Sequence, residues 1–383
     1  MTISTSTTFG GLALKNPVVI ASAPPTETLQ NLLRCEDAGA AAVVTKTLAD
    51  FPAASYPLGA RRAHVDRQGM WALSTFRRET LTLDEGTELI SEAYDRMEIP
   101  IIASVGATSM DPTAWLRACL AAEQAGASMI QIDLFYSPHP RCSPENVRLL
   151  LELLEVLHRE VRIPLAPKLN IELPAAYAAQ LLPDTGIAGV FAIDSLRTPV
   201  PLDARRGGHP LTKYAPNAPE TSLFGPWQKP VTLQYASTLV RESTLSVCAG
   251  GGLMTGWDAA EAIMLGASSA QFATAVIRHG YKRIESILEQ LTTFMDRDGY
   301  TQIDAFQGSA IERTAEDEAS IDFVPTKAVV DTDACTMCGL CTELVFCPDI
   351  RQEDGRIRIL DHCDGCGLCV AVCPPKISAL RLT

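Results

Sequence analysis

The sequence predicts an α/β protein: a (β/α)8 barrel followed by a small α+β domain rich in cysteine. Apolar runs of strand length alternate with helical patterns over about 300 residues. Two strand-to-helix connections are long, as the active-site loops of barrels often are. Eight of the 12 cysteines lie near the end of the chain. We expect the barrel at 1–310, a linker at 311–328 and the small domain at 329–383.

Eight short apolar segments are the predicted barrel strands. They are Pro17–Ala21, Ala41–Lys46, Ile99–Val105, Ser128–Leu134, Ile163–Leu169, Gly189–Ile193, Leu245–Ala249 and Ser269–Thr274. Helical patterns between them include Glu27–Ala38, Pro112–Ala125, Pro144–Val161 and Trp257–Leu265. The long connections run from Thr47 to Asp84 and from Ser195 to Pro230. A doubly wound open sheet is the alternative, but no GxGxxG follows the first strand, which weakens a dinucleotide-binding interpretation.

Composition and charge narrow the classes of partner. The chain has 383 residues, 47% of them hydrophobic, and a formal net charge of −13, which argues against nucleic acid and acidic membranes. No apolar run approaches the ~18 residues of a membrane span. The segment from Met1 to Gly11 lacks the basic and apolar regions of a signal peptide. We therefore expect the cytoplasm, where thiols stay reduced, and a homodimer or higher oligomer.

The C-terminal cysteines form two runs, each a CxxCxxC followed by a Cys-Pro pair. This is the ligand pattern of a bacterial-type ferredoxin with two [4Fe–4S] clusters, in which each run gives three thiolates to one cubane and the fourth to the other. Disulfides and zinc are weaker interpretations of this spacing. The first run has two extra residues before its last cysteine, which leaves the ligand count intact. The two expected ligand sets are Cys335, Cys338, Cys341 and Cys373, and Cys363, Cys366, Cys369 and Cys347.

Glycines and lysines mark the active-site end of the barrel. Gly250-Gly251-Gly252 follows strand seven, and a second backbone turn follows strand eight, where this fold usually binds phosphate. Lys46 and Lys168 end two strands, so their charges would point into the bowl and stabilise an anionic reduced flavin. The alternatives are a glycine-rich turn without a ligand and lysines that reach solvent.

Several segments resemble the flavin barrel of dihydroorotate dehydrogenases. They include Thr8–Pro17, Ala21–Thr26, Thr45–Thr47, Pro167–Leu169 and Gly251-Gly252. With the two-cluster domain behind it, the chain also resembles the dihydropyrimidine dehydrogenases. The resemblance implies catalytic roles for Lys46 and Lys168. It further implies that FMN is bound by Ala21, Ser22, Lys46, Lys168, Gly225, Gly251, Gly252, Ala273 and Thr274.

The substrate side departs from that family. The pyrimidine enzymes carry Asn-Leu-Ser-Cys-Pro-His after strand four, where this chain has Asp133-Leu-Phe-Tyr136-Ser137-Pro138-His139. Asp194-Ser195 stands where the family has Asn-Thr after strand six. The resemblance makes Ser137 the candidate acid/base, with Cys142 as the alternative. It makes Asp133, Tyr136, Asp194 and Ser195 the candidate substrate-binding residues.

The exchange of amides for carboxylates predicts a change of substrate. An amide both donates and accepts hydrogen bonds, whereas an ionised carboxylate only accepts. A carbonyl of uracil or orotate facing a carboxylate would leave two acceptors opposed, at a cost of about 1–3 kcal/mol. We therefore expect a substrate with amino, hydroxyl or cationic donors. The opposing possibility is that one aspartate is protonated or turned away.

These features together predict a flavin-dependent oxidoreductase acting on a CH–CH or C=C bond of a small cyclic substrate. Two [4Fe–4S] clusters would relay electrons to or from a partner, either a ferredoxin or an NAD(P)H-oxidising flavoprotein. One alternative is the catalytic subunit of a dihydropyrimidine dehydrogenase that reduces uracil or thymine, or a dihydroorotate dehydrogenase. Another is an electron-transfer subunit with FMN and clusters but no substrate of its own.

Overall fold

In a computed structural model the chain forms two compact units, Met1–Ala315 and Glu316–Thr383. The structure describes residues 3–49, 63–65, 71–73, 80–137, 143–199, 202–210, 220–311, 326–343 and 347–383. The division between the units lies inside the segment 311–328. Among the described residues, no helix combines the length and the apolar character needed to cross a bilayer.

The first unit is a closed barrel of eight parallel strands. Strands β1 to β8 are Val18–Ile20, Ala42–Val44, Ile101–Gly106, Met129–Asp133, Leu165–Leu169, Gly189–Ala192, Ser246–Gly250 and Ser269–Phe272. Each strand pairs with the next, and β8 pairs with β1, which closes the ring. The predicted barrel is therefore confirmed, and the open doubly wound alternative is wrong because the sheet closes.

Helices follow the strands along the chain. Helices α1 to α9 are Leu29–Asp37, Leu83–Tyr94, Pro112–Gln124, Pro144–Glu160, Ala175–Leu181, Lys229–Glu242, Gly256–Met264, Thr274–His279 and Lys282–Asp298. Thr28, Asp111 and Ser143 cap the starts of α1, α3 and α4, since each side chain accepts a hydrogen bond from an N–H of the first turn. Proline opens both α3 and α4, where its missing N–H costs nothing.

Alternation along each strand divides the core into two layers. In β4, Ile130 and Ile132 belong to the layer under the helices, while Met129 belongs to the barrel interior. At the N-terminal end of the barrel the interior is apolar, and Phe9 packs edge-on against Phe191 with 4.9 Å between ring centroids. Phe9 lies in a hairpin of Thr7–Phe9 and Leu12–Leu14. Towards the C-terminal end, the inward positions of the strands become polar.

The two long connections contain short strands, and each connection contributes two of them to one sheet. The first holds Leu48–Ala49, Ala63–Val65, Trp71–Leu73 and Leu81–Thr82, and the second holds Leu196–Pro199, Leu202–Asp203, His209–Pro210 and Glu220–Phe224. Trp71–Leu73 pairs antiparallel with Glu220–Phe224, and Leu196–Pro199 and Ala63–Val65 complete a four-stranded sheet, named here the loop sheet. Spacing in the sequence predicted long connections but not their pairing.

The second unit is small and contains both strands and a helix, as predicted. Ala328–Val330 pairs with Leu380–Leu382, Ile350–Glu353 pairs with Arg356–Ile359, and α10 spans Leu368–Val372. Its apolar core contains Ala328, Ile350, Ile357 and Leu380, and cysteines of both runs pack against it.

Candidate active site

A cavity of about 1030 Å³ lies at the C-terminal ends of the barrel strands. Ser222 and Phe224 of the loop sheet also line it. Most of the predicted site residues meet here. They are Ala21, Ser22, Lys46, Asp133, Tyr136, Lys168, Asp194, Ser195, Gly251, Gly252, Ala273 and Thr274.

The two predicted lysines are buried in the wall of the cavity, with Lys46 5% and Lys168 8% exposed. The register of β4 and β5 places Lys168 opposite Asp133, so their side chains share the inner face of the barrel. The Lys168 ammonium also lies 3.8 Å from Oδ1 of Asp194. The two ammonium groups bring positive charge to this wall of the cavity, which an anionic ligand would complement.

Asp133 is held by hydrogen bonds to both of its oxygens. Oδ1 accepts from the backbone N–H of Phe135 at 3.1 Å, and Oδ2 accepts from the hydroxyl of Thr47 at 2.7 Å. Burial raises the pKa of the Asp133 carboxyl, and the neighbouring Asp194 raises it further, against the opposing effects of Lys168 and the two donors. The surroundings of Asp133 therefore favour its protonated form more than water does.

Below Asp133 a chain of polar side chains crosses the barrel interior. The hydroxyl of Thr47 lies 3.1 Å from that of Ser22 and 2.9 Å from that of Ser104. Nε2 of Gln131 donates to Ser104 at 3.0 Å. Thr47 thus connects β2, β3 and β4, and it fixes the Asp133 carboxyl in one orientation. Sequence reasoning quoted Thr47 only as part of a motif and missed this role, because only the barrel register brings the partners together.

Asp194 has a different environment. Its Oδ1 accepts from the backbone N–H of Ser195 at 2.6 Å and from the Ser195 hydroxyl at 3.2 Å. Its backbone carbonyl accepts from Nε2 of Gln228 at 2.6 Å, and Gln228 is itself buried. None of the described side chains donates a hydrogen bond to Oδ2 of Asp194, which leaves this atom to accept from a ligand. Gln228 is a second residue that sequence reasoning did not find.

The glycines after β7 form a tight backbone turn. Gly251 has φ +115° and Gly252 has φ +82°, a region that residues with a Cβ rarely adopt. A Cβ on Gly252 would lie 2.5 Å from the nitrogen of Lys229 and 2.8 Å from the carbonyl oxygen of Gly225. Gly225 does not line the cavity but packs behind Gly252. The turn and the start of α8 at Thr274 therefore bring two stretches of backbone to one side of the cavity, as a phosphate site requires.

The predicted acid/base Ser137 lies elsewhere. Its side chain is buried and does not line the cavity, and its hydroxyl donates to the carbonyl of Leu134 at 2.8 Å. That contact closes the short 3-10 turn of Leu134–Tyr136 that follows β4. The role of Ser137 remains a prediction that this position does not support. Cys142, the alternative, lies outside the described residues.

Cysteines of both runs lie near one another in the second unit. Cys335, Cys338, Cys341 and Cys373 line one cavity of about 350 Å³, although Cys373 belongs to the other run. Burial raises the pKa of the Cys369 thiol, and the adjacent Cys363, Cys347 and Cys366 raise it further. The arrangement matches a fourth ligand that crosses between the runs.

Comparison with known proteins agrees with this geometry. Residues 142–295 match the model of the dihydroorotate dehydrogenase family, and residues 327–374 match the 4Fe-4S dicluster domain. The chain therefore carries a domain of the dihydroorotate dehydrogenase family followed by a 4Fe-4S dicluster domain. It is a flavin-dependent oxidoreductase that acts on CH–CH groups, with FMN and two [4Fe–4S] clusters as cofactors.

Individual relatives are similar over most of the chain at modest identity. The chloroplastic dihydropyrimidine dehydrogenase (NADP(+)) of Arabidopsis thaliana is 25% identical over 80% of this chain and 77% of its own length. The catalytic subunit of dihydroorotate dehydrogenase B (NAD(+)) from Thermoplasma volcanium is 28% identical over 80% and 99%. The NAD-dependent dihydropyrimidine dehydrogenase subunit PreA of Escherichia coli is 24% identical over 89% and 85%.

The residues present fit FMN. The buried lysines match an anionic ligand, and the glycine turn and the start of α8 match its phosphate. When bound, FMN supplies hydride exchange and single-electron transfer.

Proposed function

We propose that this enzyme interconverts a CH–CH and a C=C bond in a small cyclic substrate that presents hydrogen-bond donors to Asp194. The observation that carries the proposal is the pair of carboxyl groups, Asp133 and Asp194, in the wall of the flavin cavity with Lys168 close to both. These carboxyls stand where the resemblance to pyrimidine enzymes led us to expect amides.

Asp194 supports the donor-bearing substrate by its contacts. Ser195 and Lys168 both contact Asp194 at Oδ1. Asp194 can therefore remain the negative partner of Lys168 while its Oδ2 accepts a hydrogen bond from a ligand in the cavity. A ring carbonyl at Oδ2 would meet a second acceptor and lose about 1–3 kcal/mol, whereas an amino or hydroxyl group would donate to it. Tyr136 and Ser195 line the same cavity and would complete the substrate site.

The residues that hold FMN in this proposal are those predicted. Gly251, Gly252, Ala273 and Thr274 would surround the phosphate, while Ala21 and Ser22 would lie along the cofactor. Lys46 and Lys168 would balance the negative charge of its reduced form. Gly225 would act indirectly, by supporting the turn at Gly252.

A separate protein would supply or remove the electrons. Two relatives are named as subunits of NAD-linked enzymes, which is consistent with a partner that handles the nicotinamide. We propose a ferredoxin or an NAD(P)H-oxidising flavoprotein in this role, a homodimer or higher oligomer as the assembly, and the reducing cytoplasm as the compartment.

Ligand titration of the oxidised holoenzyme tests the substrate class. The flavin absorbance should shift with cytosine, a ring that carries an amino donor, at concentrations where uracil, thymine and orotate have no effect. Asp194→Asn restores an amide and should improve uracil binding about tenfold, equal to about 1.4 kcal/mol. Tight binding of uracil, thymine or orotate by the unmodified enzyme would contradict the proposed substrate class and favour a pyrimidine dehydrogenase.

A separate measurement addresses the electron-transfer alternative. Anaerobic mixing with a panel of saturated cyclic donors should bleach the flavin with at least one of them if the barrel is catalytic. If the flavin absorbance persisted with every donor, although dithionite reduced the flavin of the same protein, the result would favour an electron-transfer subunit.

A further inference from the structure

We infer that Asp133 is the proton-exchanging group of the flavin cavity: its carboxylate binds the proton that the substrate loses when the adjacent carbon gives up hydride. The inference rests on the proposed CH–CH chemistry but not on the identity of the substrate. It assigns to a carboxyl on β4 the role that sequence reasoning gave to Ser137.

The position of Asp133 suits this role better than that of Ser137. Asp133 lines the cavity, whereas Ser137 does not and already donates its only hydroxyl hydrogen to Leu134. The Thr47 hydroxyl and the Phe135 N–H fix the plane of the carboxyl, but each oxygen keeps a second lone pair for a proton. A fixed acid or base within reach of the substrate is the first requirement of proton transfer.

The polar chain behind Asp133 accommodates both protonation states. With its hydrogen donated to Asp133, Thr47 must accept from Ser104, whose oxygen accepts from the Gln131 amide. When Asp133 is protonated, the Thr47 hydroxyl can rotate, accept from the carboxyl and donate to Ser22 at 3.1 Å. No heavy atom has to move, so either state keeps its hydrogen bonds.

The charges around Asp133 make its protonation depend on the redox state of a flavin bound in the cavity. Asp194, Lys168, Lys46 and Tyr136 are the titratable side chains among the described residues that share the cavity with it. Burial and Asp194 already raise the pKa of Asp133, while Lys168 opposes them. Flavin reduction adds negative charge to the same space, which favours protonation of Asp133 further.

The atoms and electrons balance in the resulting reaction. The substrate would lose a hydride from one carbon to bound FMN and a proton from the neighbouring carbon to Asp133. The electron pair of the second C–H bond would become the π bond of the product. The clusters would supply the path by which the two electrons leave, and both protons would pass to water. In the opposite direction the protonated Asp133 gives its proton to the double bond.

Redox titration of the holoenzyme with dithionite tests the inference without any substrate. The midpoint potential of the flavin is measured over the pH range in which the protein keeps its cofactors. If Asp133 takes up one extra proton on reduction, the midpoint potential falls by about 30 mV more per pH unit, which is a tenfold change in the two-electron equilibrium. Wild type should show this steeper region, and Asp133→Asn should lack it. Equal slopes in the two proteins would overturn the inference.

Two further variants test the assignment even if Asp133→Asn fails to retain flavin. Thr47→Val removes a donor to the carboxylate, so the steep region should move to higher pH. Asp194→Asn removes the neighbouring negative charge, so the region should move to lower pH. A steep region that stays in place in both variants would overturn the inference. A failure of the proposed substrate class would leave these results unchanged, because the titration contains no substrate.

Discussion

Lys168 and Asp133 face each other because the parallel register of β4 and β5 pairs them. Each would be costly to bury alone, and together with Asp194 they form a small group of charges around a cavity that binds an anionic cofactor. In the proposed function the same residues would influence flavin binding, flavin potential and proton exchange. Two predictions belong to this scale.

The raised pKa of Asp133 makes the stability of the barrel depend on pH. Burial, followed by Asp194, causes the shift, so the folded protein holds the proton more tightly than the unfolded chain. The stabilisation is fully present below the unfolded pKa and is lost as the pH rises through the folded pKa. Asp133→Asn removes this titration. As the pH rises, the free energy of unfolding of this variant should increase relative to that of wild type. The increase should be about 1.4 kcal/mol for each unit by which the folded pKa of Asp133 exceeds its unfolded pKa. Urea unfolding at a series of pH values measures the gain, and a difference that does not vary with pH would contradict it.

Lys168 should raise the flavin potential. Lys168→Gln removes a buried positive charge that favours the reduced, anionic cofactor. We expect a fall of about 30 mV or more, which is a tenfold change in the two-electron equilibrium. Redox titration measures it, with Lys229→Gln as the control because the Lys229 ammonium pairs with Asp258 and Glu261. A Lys168 variant with the wild-type potential would show that its charge does not reach the flavin.

At the scale of elements, turns with left-handed backbone lie at both proposed cofactor sites. In the barrel these are Gly251 and Gly252 after β7, and in the second unit they include the loops of the cysteine runs. In each place the backbone conformation decides which residues can stand there. Two matched pairs of substitutions follow from this.

Gly252→Ala should weaken both folding and FMN binding. Its Cβ would meet the nitrogen of Lys229 at 2.5 Å, in addition to the strain of a positive φ. We expect a loss of about 2–3 kcal/mol in unfolding free energy. Gly299→Ala is the control, since it has φ +77° but open space around the added carbon, and should cost about 1 kcal/mol with no loss of flavin. Urea unfolding and flavin content measure both, and equal losses would argue against the close packing.

Met337 and Gly365 occupy equivalent positions in the two cysteine loops, and substitutions at them should change the stability of the second unit in opposite directions. Both have positive φ, +57° and +70°, and at Gly365 an added Cβ would be 2.5 Å from the carbonyl oxygen of Thr326. Met337→Gly should therefore stabilise the second unit by about 1 kcal/mol. Gly365→Ala should speed the loss of iron from the purified protein. The rate of cluster bleaching in urea measures both changes, and a faster loss in Met337→Gly would contradict the account.

At the scale of the whole molecule, two units divide the chemistry between them. The barrel contains the flavin cavity, and the second unit contains the cysteines that hold the clusters. If Cys373 and Cys347 cross between the runs, as their positions lead us to expect, each cluster depends on both halves of the motif. Substitutions of these two cysteines should therefore affect different clusters.

Cys373→Ala should disturb the cluster bound by the first run, and Cys347→Ala the cluster bound by the second. Each variant should lose up to about half of its iron, because four of eight irons belong to each cubane. Electron paramagnetic resonance of the reduced proteins identifies the cluster that changes. If Cys373→Ala and Cys363→Ala removed the same signal, the crossing would be wrong.

Sequence reasoning reached the barrel because eight apolar runs of strand length alternate with helical patterns along the chain. It also reached the cluster domain, because cysteine spacing is dictated by the cubane. It could not reach the loop sheet, whose strands pair across distant parts of the chain. Nor could it find the contacts of Thr47 or the turn closed by Ser137, since both depend on where a side chain points.

The loop sheet has a practical consequence for engineering. Because Trp71–Leu73 and Glu220–Phe224 share a ladder, neither connection is an independent module. A chimera that imports one connection from a relative would leave unmatched edges and a misshapen entrance. Successful grafts to change selectivity should therefore transplant both connections from the same donor.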